Sequence, residues 1–170
     1  MAYLVFVKQH RLGIQLARAN HVLEEASLTD PLTGARNRRF FDASIEGDVG
    51  QTLRAYADNH DQRIRDLIFY VIDADGFKEV NDKYGHDAGD RVLVEMSRRI
   101  SSAIRNSDIL IRWGGEEFLV VSRYTDRAEA ETLAARVLAA VGDTPFVLEE
   151  KGEAIRKTCS IGWAAFPWYQ

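Results

Sequence analysis

The alternation of apolar and polar residues predicts three helices, which cover residues 37–57, 88–104 and 126–142. The middle helix carries an apolar stripe at spacings of three and four residues, formed by Leu93, Met96, Ile100 and Ala103. Such a stripe marks a helix face that packs on a hydrophobic core. Residues typical of helix ends support these boundaries, namely Asn37 as an N-cap, Asp126 with Glu129 as a capping box, and Gly142 at a C-terminus.

Short β-rich apolar runs predict the strands, which lie at residues 67–72, in a hairpin over 108–121, and at 146–148 and 155–161. The first run is almost wholly apolar, which is typical of a strand covered on both faces. Residues 73–90 follow it and are interpreted as a polar loop that leads into the next helix. The order of elements predicts an α/β fold of the α+β sandwich type. Its central sheet is mainly antiparallel, with helices on both faces and the βαββαβ pattern of ferredoxin-like folds.

The first 27 residues are predicted to form a separate helical linker. An apolar series repeats there at spacings of 4, 3, 4 and 3 residues, namely Leu12, Leu16, Ala19, Leu23 and Ala26. This is the step of a coiled-coil seam. Two interpretations stay open, a coiled-coil stalk and a helix that packs on its own domain. Pro31 and Gly34 then break the helix, so the main domain is expected over residues 28–170.

The composition and charge of the chain argue for some classes of protein and against others. A chain of 170 residues with 46% hydrophobic and 28% charged residues is typical of one soluble globular domain. Its net charge of -4 argues against a sequence-independent DNA-binding protein. The single cysteine, Cys159, excludes an internal disulfide and favours a reducing, cytoplasmic setting. The apolar run at residues 3–7 is too short to span a bilayer.

Two acidic sites adjoin the predicted strands. Asp73 ends the apolar strand, and the hairpin turn reads Gly114-Gly115-Glu116-Glu117. If these strands are neighbours in the sheet, Asp73 and Glu116 form a pair of oxygen ligands that suits Mg²⁺ or Mn²⁺. The alternative is that the acids are solvated turn residues.

The segment of residues 73–90 combines glycines, amides, acids and a lysine ahead of a helix. Backbone N–H groups near a helix N-terminus bind phosphate. A carboxylate can also accept hydrogen bonds from the N1–H and N2–H₂ groups of guanine, which adenine does not offer. A nucleotide site is one interpretation of this segment, and a long polar surface loop is the other.

Four motifs occur in one order along the chain. They are Asp30-Pro31-Leu32-Thr33-Gly34 through Asn37-Arg38-Arg39, Asp73-x-Asp-x-Phe77-Lys78-x-x-Asn81-Asp-x-Tyr-Gly-His86-x-x-Gly-Asp90, Arg112-x-Gly-Gly-Glu-Glu-Phe118, and Thr158-x-Ser-Ile-Gly162. Together they resemble the GGDEF domains of bacterial diguanylate cyclases, from about Ser27 to the C-terminus. The resemblance implies a nucleotidyl-cyclase palm fold.

In that family, two GTP-loaded domains meet face to face and condense two GTP into cyclic di-GMP, with release of pyrophosphate. The resemblance implies that Asp73 and Glu116 ligate Mg²⁺ or Mn²⁺, with the Ala74 carbonyl as a further ligand. Glu117 is expected to help hold the metal and to act as the base for the attacking 3′-hydroxyl group. GTP is the implied substrate, a homodimer the active form, and a sensor domain the upstream partner.

The substrate-binding residues follow from the same resemblance. The expected set is Asn81 and Asp90 at the guanine base, Phe77 and Lys78 at the phosphates, and Gly114 and Gly115, which leave room for the nucleotide over the turn.

A second ligand site is expected at Arg105 and Asp108, which have the RxxD spacing of the family's product-inhibition site. Arg105 can pair bidentately with phosphate or guanine, and Asp108 can accept hydrogen bonds from guanine. Arg136 lies where the family often places a supporting arginine. The product, cyclic di-GMP, is therefore an expected inhibitory ligand, and solvated charge at a helix end is the alternative.

The chain departs from the family at its end. Family members continue with a helix that carries a Lys and an Arg for the GTP phosphates, and with a last strand, whereas this chain ends at Gln170. The domain is expected to lack these elements and to bind GTP more weakly. Two other functions stay open, a non-catalytic cyclic di-GMP receptor and another palm-type enzyme such as an adenylyl cyclase. The expected location is the cytoplasm, including the cytoplasmic part of a membrane-anchored sensor protein.

Overall fold

The computed structural model describes residues 27–58, 66–148 and 154–168. Within these ranges the elements are, in order, β1 (Arg36–Asn37), α1 (Arg38–Ala57), β2 (Asp66–Ala74), α2 (Phe77–Tyr84), α3 (His86–Ala103), β3 (Ile109–Gly114), β4 (Glu117–Thr125), a 3-10 turn (Arg127–Glu129), α4 (Ala130–Gly142), β5 (Phe146–Val147), β6 (Ala154–Ile155) and β7 (Cys159–Phe166). The predicted linker helix, with its apolar repeat at 12–26, lies outside the described residues.

The main sheet has five strands in the order β1-β3-β4-β2-β7. The short β1 pairs parallel with β3, and all other neighbours pair antiparallel. Strands β2, β3, β4 and β7, with α2 and α3 in the first crossover and α4 in the second, form the predicted βαββαβ unit. The predicted α+β fold with a mainly antiparallel sheet is confirmed.

Helices cover both faces of the sheet, as predicted. The larger core joins Ile68, Tyr70 and Ile72 of β2 to α3 and α4. It includes the whole predicted stripe of α3, since Leu93, Met96, Ile100 and Ala103 are all buried. The smaller core, on the opposite face, packs Leu67, Ile111, Leu119 and Val121 against Phe41, Ile45 and Val49 of α1.

The expectation that β2 is covered on both faces is wrong for its second half. Alternate residues point to opposite faces, and on the α1 face the side chains become exposed beyond Phe69. Val71 is 55% exposed and Asp73 is also exposed. The reason is that the smaller core against α1 reaches only Leu67 and Phe69 of β2. An open patch of sheet therefore surrounds Asp73.

The interpretation of residues 73–90 as a loop is also wrong, because residues 77–84 form helix α2. Phe77 and Val80, one turn apart, are buried and attach α2 to the larger core. Gly76 and Gly85 flank the helix with φ of 62° and 83°, in the left-handed region that glycine tolerates. Only one turn of α2 carries buried apolar residues, so its apolar pattern is too short to be recognised as a helix among the polar residues of the sequence.

Two other boundaries differ from the sequence prediction. The expected strand at 155–161 is divided: β6 pairs with β5 in a separate two-stranded sheet, and β7 begins only at Cys159. The helix after Asp126 begins as a 3-10 turn, in which the Asp126 side chain accepts a hydrogen bond from the Ala128 N–H at 2.9 Å. The carboxylate of Glu129 binds Arg105 instead of completing a capping box. No helix among the described residues has the length and apolar character needed to cross a bilayer.

An ion pair between the buried Asp66 and the partly exposed Arg127 joins β2 to the turn before α4. The carboxylate of Asp66 accepts from the backbone N–H and the Nε of Arg127 at 3.0 and 2.9 Å, and from its Nη2 at 2.9 Å. The Tyr56 hydroxyl of α1 donates to the same carboxylate. Burial alone raises the pKa of Asp66, but the hydrogen bonds from Arg127 and Tyr56 outweigh it and lower the pKa below its usual value.

Replacing Asp66 with Asn is expected to lower the free energy of unfolding at neutral pH by on the order of 2 kcal/mol, since charged hydrogen bonds are lost. The folded-state pKa lies below that of the unfolded chain, so this contribution is complete above about pH 4 and disappears as the pH falls through the folded-state value. Urea unfolding as a function of pH measures it. The curves of wild type and variant should converge in acid, and a constant difference would contradict this assignment. Asp82→Asn, at an exposed site on α2, is the control.

Candidate active site

The hairpin turn between β3 and β4 is fixed by its glycines. Gly114 and Glu117 are cross-strand partners, so only Gly115 and Glu116 lie in the turn. Gly115 has a φ of 47°, which an L-residue with a side chain rarely adopts. A glycine at the first position of a two-residue loop matches the twist of the flanking strands. This geometry fixes the positions of Glu116 and Glu117, which follow Gly115.

The sheet register brings two of the predicted acids together. Asp73 of β2 is the direct cross-strand partner of Glu117 of β4. Side chains at such positions share one face of the sheet, with Cβ atoms about 4.5–5.5 Å apart. Both residues are exposed, on the open patch beyond Phe69. The sequence analysis paired Asp73 with Glu116. In the structure, Glu116 comes one residue before the partner of Asp73, Glu117, and lies half-buried in the turn.

The donor set around this pair suits a hard cation. The predicted set comprises the carboxylates of Asp73, Glu116 and Glu117 and the carbonyl of Ala74 at the end of β2, and the sheet register directly pairs Asp73 with Glu117. In the described part of the chain, no three His, Cys, Asp or Glu side chains converge into a metal cluster. Mg²⁺ is usually bound by one or two carboxylates plus phosphate oxygens of a substrate. The residues present therefore fit a cation that binds together with a nucleotide.

Arg112 of β3 holds the turn and connects it to Asp30. Its Nε and Nη2 donate to the Gly115 carbonyl at 3.2 and 2.8 Å, and its Nη1 pairs with Asp30 at 3.0 Å. Asp30 also accepts from the backbone N–H and the hydroxyl of Thr33. Burial raises the pKa of Asp30, yet the hydrogen bonds from Thr33 and Arg112 lower it overall. Asp30 and Arg112 belong to two of the motifs found in the sequence, but no role was predicted for either residue.

The end of β2 is held in a similar way by the start of β7. Asp75 accepts hydrogen bonds from the hydroxyls of Thr158 at 2.6 Å and Ser160 at 2.7 Å, which lower its pKa. Its backbone N–H donates to the Thr158 carbonyl at 3.1 Å. The Lys157 ammonium group donates to the Gly76 carbonyl at 3.0 Å. These contacts fix the segment between Asp73 and α2.

The predicted guanine-binding residues lie on the two helices that follow. Asn81 is on α2 and Asp90 on α3. The helices approach so closely that a Cβ at Gly89 would lie 2.0 Å from the Asn81 Oδ1 atom and 3.1 Å from the Phe77 ring. Of the two residues predicted to bind the phosphates, Phe77 is buried and Lys78 is exposed. Gly89 was not singled out in the sequence.

The predicted product-binding residues converge elsewhere on the domain. Arg105, Asp108 and Arg136 line one pocket with Glu129. Arg105 donates from its backbone N–H to Asp108 at 2.8 Å and pairs with Glu129 at 2.8 Å. Arg136 donates to the Ala103 carbonyl at 2.5 Å. Glu129 is the member that the sequence did not reveal, since its spacing from Asp126 favoured a helix cap.

Comparison with known proteins decides the family. The family model described as "Diguanylate cyclase, GGDEF domain" matches residues 27–170. The chain belongs to the GGDEF family. The diguanylate cyclase DgcP of Pseudomonas aeruginosa is 38% identical over 142 residues, which cover 84% of this chain. The response regulator PleD of Caulobacter vibrioides is 38% identical over 146 residues, which cover 86% of this chain.

A solved GGDEF structure shows the same fold. The GGDEF domain of DgcB from Caulobacter crescentus, in complex with c-di-GMP, aligns with a TM-score of 0.70 and 25% identity over 83% of this chain and 78% of that one. Both relatives are much longer than this chain. The matched region spans only 20% of DgcP and 30% of PleD.

Gly89→Ala is expected to lower the melting temperature of this GGDEF domain, because the new methyl group displaces Asn81 or separates α2 from α3. Overpacking of this kind costs about 1–3 kcal/mol. The matched control is Gly47→Ala in α1, where a Cβ meets nothing within 4 Å. That variant should be stabilised, since alanine is the better helix former. Calorimetric melting of both variants is the measurement, and equal shifts in one direction would contradict the close approach.

Proposed function

We propose that this chain is a diguanylate cyclase domain that condenses two GTP molecules into cyclic di-GMP and releases pyrophosphate. The observation that carries this proposal is the cross-strand pairing of Asp73 with Glu117 beside the Gly114-Gly115 turn. The pairing places two carboxylates on an open face, next to backbone that a nucleotide can approach. The relatives named diguanylate cyclases support the same activity.

The reaction joins the 3′-hydroxyl oxygen of one GTP to the α-phosphorus of the other. The bond from that phosphorus to pyrophosphate breaks, and a second step of the same kind closes the ring. Glu117 is proposed to accept the proton of the attacking hydroxyl. Asp73, Glu116 and the Ala74 carbonyl would hold Mg²⁺ or Mn²⁺, which when bound neutralises charge on the phosphate oxygens.

Nucleotide selectivity is proposed to come from α2 and α3. The Asp90 carboxylate accepts from N1–H and N2–H₂ of guanine, while Asn81 binds the same base from α2. Adenine leaves the carboxylate without these donors, which is costly in a closed site. The phosphates lie at the N-terminus of α2, where the backbone of Phe77 and the ammonium group of Lys78 contact them.

Catalysis is proposed to need a homodimer, because one domain presents one GTP. Two domains face each other across the Asp73–Glu117 patch, so each supplies the hydroxyl that attacks the other's phosphate. In the parent protein, an upstream sensor is proposed to control this encounter through the helical linker of residues 1–27. A cytoplasmic location is proposed, where GTP is available.

The pocket of Arg105, Asp108 and Arg136 is proposed to bind cyclic di-GMP as an allosteric inhibitor. The two arginines suit the phosphates of that product, and the Asp108 carboxylate suits its guanine bases. The convergence of these residues also favours a second candidate function, that of a non-catalytic cyclic di-GMP receptor. The two functions differ in whether GTP is consumed.

Glu117→Gln keeps the size of the side chain but removes the proton acceptor. It is expected to lower kcat for cyclic di-GMP formation by about 10²–10⁴-fold, because general-base assistance is lost. Chromatographic quantification of the product measures kcat, with the exposed Glu131→Gln as the matched control. Wild-type turnover in the Glu117 variant would contradict the proposed base. Wild-type protein that binds cyclic di-GMP but consumes no GTP would favour the receptor.

A further inference from the structure

Three buried polar atoms belong to residues in or near the Arg105/Asp108 pocket: Asp108 and Ser122 line it, and Tyr70 is close enough to interact electrostatically with Asp108 and Arg105. The atoms are the Tyr70 hydroxyl, the Ser122 hydroxyl and the Oδ1 atom of Asp108, and none has a hydrogen-bond partner within the described part of the chain. Tyr70 is only 2% exposed and Ser122 only 1%. Buried polar groups in folded proteins nearly always have a partner, so three together indicate that something else binds them.

The sheet register places the three residues side by side. Ser122 is the partner of Ile68 on β2, and Tyr70 lies two residues further along the same face. On the other side of β4, Ile109 pairs with Val121, and Asp108, immediately before β3, lines the same pocket as Ser122. Tyr70 and Ser122 therefore share the sheet face that carries the larger core, and Asp108 lies beside them just before β3.

The chemistry of the three groups is complementary. Burial and the nearby Asp108 carboxylate raise the pKa of Tyr70 to about 12, so its hydroxyl stays protonated and is a hydrogen-bond donor. Ser122 donates and accepts, and the carboxylate of Asp108 accepts only. They do not bond one another directly, and one bridging group with both donors and acceptors would satisfy all three. The pocket lined by Asp108 and Ser122 has a volume of about 30 Å³, which is enough for a water molecule.

We propose that Tyr70, Ser122 and Asp108 hold one ordered water as an inner subsite of the product pocket, and that Tyr70 is a positioning residue for Asp108. The positioning role rests on the proposed binding of cyclic di-GMP. The water accepts from Tyr70, donates to Asp108 Oδ1 and bonds Ser122. The Arg105 N–H holds Oδ2 at 2.8 Å, so both carboxylate oxygens are fixed before a guanine arrives.

The sign of one stability change tests the water independently of any ligand. Tyr70→Phe removes the hydroxyl and keeps the ring. If the hydroxyl is bridged, the variant loses a buried hydrogen bond, and its melting temperature should fall by about 2–4 °C. An unchanged or higher melting temperature would overturn the proposal, because removing an unpartnered buried hydroxyl is neutral or stabilising. The control is Tyr124→Phe, whose exposed hydroxyl donates to Gln51.

Calorimetric titration with cyclic di-GMP tests the positioning role. Tyr70→Phe and Ser122→Ala should each weaken binding by about 5–10-fold, and the double variant by less than the product of the two, because they share one water. Independent, multiplicative losses would indicate two separate packing effects and overturn the shared water. Arg105→Ala should abolish binding, and Arg98→Ala, which removes a surface pair with Glu95, should not.

The two proposals fail in different ways. If Arg105→Ala loses binding while Tyr70→Phe and Ser122→Ala bind like wild type, the positioning role is wrong and the product site stands. If wild type itself does not bind cyclic di-GMP, the product site is wrong and the positioning role falls with it. The melting temperature of Tyr70→Phe then still decides whether the water is present.

Discussion

The antiparallel register between β2 and β4 is the constraint on which the site depends. It sets Asp73 opposite Glu117, where two carboxylates repel each other unless a cation lies between them. The register is not set by the acids. It is set on the opposite face, where Ile72 and Phe118 are fully buried in the larger core. A slip of β2 by one residue would move Ile72 to the open face and Asp73 into the core, so core packing holds the carboxylates together.

The sheet register does not hold the hairpin turn or the backbone after β2. Hydrogen bonds between segments far apart in the sequence fix these two stretches. Arg112 connects the turn to Asp30, and the hydroxyls of Thr158 and Ser160 hold Asp75 at the end of β2. Neither contact touches the Asp73–Glu117 pair. Both limit the motion of backbone on which a nucleotide and a cation would rest, which is how a site is organised before its ligands bind.

Periodicity predicted the parts of the fold whose apolar pattern is long. Helix α3 and the hairpin are examples, since each buries several residues at regular spacing. Helix α2 buries only Phe77 and Val80, and was therefore missed. Val71 is exposed because α1 does not extend over it. The residues around Val71 in the sequence do not indicate how far α1 extends across the sheet. The candidate acids were found from motifs, whereas Glu129 joins the second pocket, and Tyr70 comes near Asp108, only through the tertiary structure.

The central claim is that the face bearing Asp73 and Glu117 condenses two GTP molecules. The most direct measurement is incubation of the wild-type chain with GTP and Mg²⁺ over a range of protein concentrations, with cyclic di-GMP and pyrophosphate quantified by mass spectrometry. We predict two pyrophosphates for each cyclic di-GMP, a specific activity that rises with protein concentration as dimers form, and no product from ATP. A cyclic product formed equally well from ATP, or a specific activity independent of concentration, would contradict it.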